Sequence, residues 1–143
     1  MKTLLTISAA IALVAAIPAA ADRYDCRAPG DTSTIVEVDS ATKTFAITGE
    51  ANKVKFTGKP ACQLLVSILT IGVGEANKDA ALSSGRCSTA VGADVAAADY
   101  VVVSGQWDVT LSIAFDAKKQ TLTTIGRFGT TGGYVDAVPC KRL

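Results

Sequence analysis

The sequence predicts an all-β, antiparallel single domain, a small sandwich or barrel with at most one short helix and two disulfides. Three observations carry that prediction. Trp107, Val109, Leu111, Ile113 and Phe115 alternate with Asp108, Thr110, Ser112 and Ala114, the period-two signature of a strand with one dry and one wet face. β-type runs recur along the chain with turn-forming clusters between them. Four well-separated cysteines, Cys26, Cys62, Cys87 and Cys140, follow a segment that looks like an export signal.

That segment comes first. Lys2 supplies a positive start, Leu4 to Ile17 is almost wholly apolar, and Ala19-Ala20-Ala21 has the small residues of a cleavage site. Residues 1–21 are therefore expected to be a cleaved signal peptide, leaving 22–143 as one disulfide-bonded β domain that is periplasmic or secreted. The apolar run is short for a membrane span, and no later stretch holds about twenty apolar residues together. Of 14 basic residues one is Lys2, so the remaining 13 balance 13 acids and no field for nucleic acid or anionic lipid is expected.

An even number of cysteines in an oxidising compartment reads as disulfides. The absence of histidine and the wide cysteine spacing argue against zinc, so no metal and no cofactor are expected. Three pairings are open. Cys26 with Cys140 and Cys62 with Cys87 is favoured, because the first ties the ends of the domain and the second closes a self-contained loop, each worth roughly 3 to 5 kcal/mol on a chain-entropy argument.

Along the domain, Thr34 to Val38 and Lys43 to Thr48 read as a hairpin across Asp39-Ser40-Ala41-Thr42. Val54 to Thr57 alternates before Gly58-Lys59-Pro60. Cys62 to Ile71 is a continuous apolar run, and its β-branched content with Gly72-Val73-Gly74 tilts it toward a strand or extended segment. Glu75 to Leu82 has helix formers and is the one short helix expected. Ala93 to Asp99 is ambiguous between helix and strand. Tyr100 to Val138 reads as antiparallel strands, turning at Asp116 to Gln120 and at Gly129 to Gly133.

Catalysis through a Ser-His-acid triad is excluded by the missing histidine. Asp94, Asp99, Asp108, Asp116 and Asp136 are raw material for acid–base work, but nothing in the sequence joins two of them, and Asp108 alternates away from Trp107. The glycine clusters at 72–74 and 129–133 lack the Gly-Lys-Ser/Thr ending of a phosphate loop. The second, with Arg127, Phe128 and Tyr134 flanking it, is the candidate binding loop, since Arg and aromatic side chains anchor interfaces. Trp107 reads as core or core rim rather than as a carbohydrate platform.

Tyr24-Asp25-Cys26 near one end and Cys140-Lys141-Arg142 near the other resemble the frame of the small periplasmic inhibitors of C-type lysozyme, β-barrels with linked terminal cysteines. The chain lacks that family's serine-glycine loop and its Phe-Trp-x-Lys segment, so no residue roles carry over. The expectation is an exported, non-catalytic, monomeric binding protein of the envelope or extracellular space. Its partner would be a protein or small ligand, and inhibition of an extracellular hydrolase is one concrete form. A small carboxylate-dependent hydrolase and a structural envelope subunit joined through an open strand edge are the alternatives.

Overall fold

A computed structural model of the chain describes residues 21–51, 54–103, 108–129 and 132–143. Trp107, and all but the last residue of the expected signal peptide, lie outside the described residues. The strands are β1 (Asp22–Cys26), β2 (Thr34–Asp39), β3 (Thr44–Ala51), β4 (Val54–Pro60), β5 (Gly85–Val91), β6 (Val95–Val103), β7 (Asp108–Asp116), β8 (Thr121–Phe128) and β9 (Gly132–Arg142). They form one antiparallel sheet in the order β4-β3-β2-β1-β9-β8-β7-β6-β5. The chain is thus two meanders, β1 to β4 and β5 to β9, whose outermost strands in sequence, β1 and β9, pair to join them.

Between the meanders, α1 (Ala61–Val73), a 3-10 turn (Glu75–Asn77) and α2 (Lys78–Ser84) carry the chain from one edge of the sheet to the other. The sheet curls into a half-barrel around α1, which packs on β3, β4, β5, β6 and β7. The expected all-β class and both favoured disulfides are present. The expected short helix is there as the 3-10 turn and α2.

The strand expected over Cys62 to Ile71 is instead most of α1. Ala61, Leu64, Leu65 and Leu69 are buried at helical spacing, and Gln63 stays exposed with Ser67 donating to its carbonyl at 3.3 Å. As a strand the same segment would turn half of its apolar side chains onto an outer face. As a helix inside the curl it is covered by sheet on most sides, which is why it can be apolar nearly all round. Ala93 to Asp99 resolves as the turn before β6 and its first residues. Two strands that the sequence did not announce, β1 and β5, complete the meanders.

The β7 alternation is as expected: Val109, Leu111, Ile113 and Phe115 are buried, while Asp108, Thr110, Ser112 and Ala114 face outward. At one end of the half-barrel the turns meet. Tyr24 and Phe115 pack with ring centroids 4.5 Å apart and planes tilted by 47°. Lys43 reaches the Val91 carbonyl at 3.2 Å, Ala117 N–H donates to the Asp94 carbonyl at 2.8 Å, and the Lys118 ammonium lies 3.4 Å from Asp94. This end is closed.

The hairpin turns after β2 and β7 share one construction. Asp39 accepts from the N–H groups of Ala41 and Thr42, and Asp116 from those of Lys118 and Lys119. In each turn the fifth residue, Lys43 or Gln120, has positive φ, 57° and 51°. Among the described residues no helix is long and apolar enough to cross a membrane.

Candidate functional site

The other end opens because β1 and β9 differ in length. β1 pairs with β9 only through Tyr24, Asp25 and Cys26, opposite Arg142, Lys141 and Cys140. Cys26 and Cys140 face each other at a Cα separation of 4.0 Å, in the non-hydrogen-bonded position of the ladder where antiparallel side chains come closest. Beyond Cys26, Arg27 N–H donates to the Pro139 carbonyl at 3.1 Å and the chain swings away toward β2. Among the described residues β9 has no such neighbour over residues 132 to 138, and a cleft of about 370 Å³ lies there.

Its floor is apolar. Ile47 and Phe56 come from the first meander, Leu64 and Ile68 from α1, and Ile113, Leu122 and Val138 from the second meander. Its rim is polar and exposed, with Arg27, Asp31 and Thr32 from the β1–β2 loop, Glu50 at the end of β3, and Asp136 on β9. Thr124 and Asp136, directly paired across β8 and β9, face into it. A volume of this size, apolar within and with a few convergent polar groups, has the form of a ligand site.

The loop that makes one wall is held from below. Ser33 Oγ donates to Asp25 Oδ1 at 2.5 Å, and Arg27 Nε lies 3.7 Å from the other oxygen of the same carboxylate. Asp31 N–H closes a turn on the Ala28 carbonyl, with Gly30 at φ 85°. Gly49 passes close under this loop, where a Cβ would stand 3.3 Å from Thr34 Oγ1 and 3.4 Å from the Ser33 carbonyl oxygen.

Of the candidate loop residues, Arg127 points outward and pairs with Asp108 at 3.8 Å, both well exposed. Phe128, next in the strand, points inward and is half-buried against the core. Tyr134 also points inward, its ring covering Gly126 across the ladder so closely that no Cβ would fit there. Strand alternation therefore puts the Arg127 side chain on the face opposite Phe128 and Tyr134, although Arg127 and Tyr134 both border a wide-open hollow of about 430 Å³ with Gly129, Gly132 and Gly133. Burial, with the nearby carboxylate of Asp136, holds the Tyr134 phenol above its ordinary value of 10.0.

Of the five aspartates singled out for acid–base chemistry, Asp136 alone lines the cleft. Asp99, Asp108 and Asp116 lie on the outward positions of β6 and β7, where Asp99 accepts from Ser112 Oγ, and Asp94 sits in the closed-end turn. The acids that accompany Asp136 are Asp31 and Glu50, which sequence reasoning passed over. No short spacing links them, and only the curl of the sheet brings them to one rim. Among the described residues no group of three or more His, Cys, Asp or Glu side chains is placed to hold a metal ion. Comparison of the chain with protein families, with curated proteins and with solved structures finds no match.

Proposed function

We propose that the protein is an exported binding protein that holds its ligand in the cleft between β9 and the β1–β2 loop. The observation that carries this reading is the cleft itself, about 370 Å³ with an apolar floor and a polar rim. Export is supported by the signal-like N-terminus and is compatible with two disulfides, one of which, Cys26–Cys140, forms part of the cleft wall. Binding by a preformed cleft needs little ordering of the chain, and the cross-linked seam keeps that cost low. Inhibition of a secreted hydrolase would be one use of such a site.

The test is a capture experiment from the native extracellular or envelope fraction, run with the mature chain Asp22 to Leu143 and with a Thr124→Trp variant whose indole fills the cleft. A partner or small ligand retained by the first and lost by the second, both folded by circular dichroism, supports the reading. Equal retention by the two places binding elsewhere.

A further inference from the structure

The sheet guards its two outer edges. β4 carries Lys55 and Lys59, breaks register opposite β3, and ends in Pro60. β5 is tied to α1 by Cys62–Cys87 and carries Arg86. Among the described residues the interior edge of β9 has no such protection from Gly133 to Val138.

Three hydrogen bonds fix which residues point that way. Cys140 N–H donates to Gln120 on the β8 side, whereas the Pro139 carbonyl accepts from Arg27 and Leu143 N–H donates to Arg23, both on the β1 side. Odd-numbered residues of β9 thus turn their backbone groups away from β8. Gly133, Val135 and Ala137 do so where β1 has already left, and among the described residues nothing bonds them there. Pro139, lacking an N–H, closes the open stretch.

The surroundings say what would pair with them. On the inner side an added strand would meet the cleft, whose rim bears, among the described residues, Asp31, Glu50 and Asp136 against one cation, Arg27, already beside Asp25. A lysine or arginine suits it, with the stem along the apolar floor and the charge at the acidic rim. On the outer side the added strand would lie beside Val135, 72% exposed, and its cross-strand neighbour Ile125, 42% exposed, which suits apolar residues.

Resting on the cleft reading, we propose that β9 binds its partner by strand addition at Gly133, Val135 and Ala137, the partner being an extended protein segment in which basic side chains alternate with apolar ones. The probe is the peptide acetyl-Lys-Val-Lys-Thr-Lys-Val-amide, added to the mature chain and followed by titration and amide exchange. Exchange at Val135 and Ala137 slows by about tenfold on saturation, while Tyr134 and Asp136, already bonded to β8, do not change.

Copies of the peptide N-methylated on alternate residues, made in both phases, separate strand addition from side-chain docking: one phase loses binding and the other keeps it. Val135→Pro, which spares the β8 ladder, weakens binding by about tenfold. Equal binding of both phases together with loss on Thr124→Trp overturns strand addition and leaves the cleft reading standing. Binding unaffected by any of these changes overturns both. Protection of Val135 and Ala137 that rises with protein concentration, without peptide and with a dimer in sedimentation, gives the edge to a second copy and overturns the proposal.

Discussion

The two ends of the half-barrel are built from the same strands and finish in opposite ways. At the closed end the turns after β2, β5 and β7 dock on one another, and the space left among Tyr24, Val38, Phe115 and their neighbours is about 10 Å³. At the open end the cleft is about 370 Å³. The difference comes from strand length. β1 stops after five residues and β9 runs for eleven, so the two meanders share a short seam and then part. The cleft arises where one strand ends early, not from an inserted segment.

If the short seam depends on its cross-link, the largest effect should come from removing it. Cys26→Ala with Cys140→Ala frees residues 114 positions apart and is expected to cost about 5 kcal/mol, against about 3.5 for Cys62→Ala with Cys87→Ala, whose separation is 25. Urea unfolding of the two double variants tests the order. An equal or reversed ranking would mean that the seam is held by its ladder and not by the disulfide.

A second comparison sets core against cleft. Phe115, 2% exposed at the closed end, should cost about 3 to 5 kcal/mol on truncation to alanine, because nothing near it can move in to fill the void. Ile68, on the cleft floor, already borders open space, so Ile68→Ala should cost less than about 2 kcal/mol. Similar losses at both sites would show that the cleft closes up in solution.

The contrast also separates what the sequence announces from what it hides. β7 was legible because one face is wet and the other dry, which writes the period directly into the residues. β1, with the residues DRYDC, and β5, with GRCSTAV, carry too few apolar side chains to declare a strand, and their pairing comes from neighbours and cross-links. α1 misled for the reverse reason, since a helix covered on most sides loses the polar stripe that would mark it. The cleft was hidden altogether, because its walls come from the β1–β2 loop, β3, α1, β8 and β9, which meet only after the sheet has curled. Arg127, Phe128 and Tyr134 stand out by residue type, yet residue type does not say that alternation sends Arg127 to the other face.

The smallest effects belong to the closed-end turns. Lys43 and Gln120 hold positive φ without being glycine, so Lys43→Gly and Gln120→Gly should each stabilise by up to about 1 kcal/mol, the strain relieved outweighing the freedom added to the unfolded chain. A loss in either variant would mean that the side chain matters more than the backbone, and at Lys43 the bond to the Val91 carbonyl gives it reason to. Acid should loosen the same turn. The N–H of Thr42 chiefly, with that of Ala41, holds the Asp39 carboxyl below its ordinary value of 3.8 against the opposing effect of desolvation. A depressed carboxyl adds stability above the unfolded value and loses it as pH falls through the folded one. The Ala41 and Thr42 amide resonances should therefore shift with a midpoint below the ordinary carboxyl value of 3.8, and Asp39→Asn should flatten that response. A midpoint at or above the ordinary value would show that the turn does not hold Asp39 in its charged form, and that the closed end owes its order to packing alone.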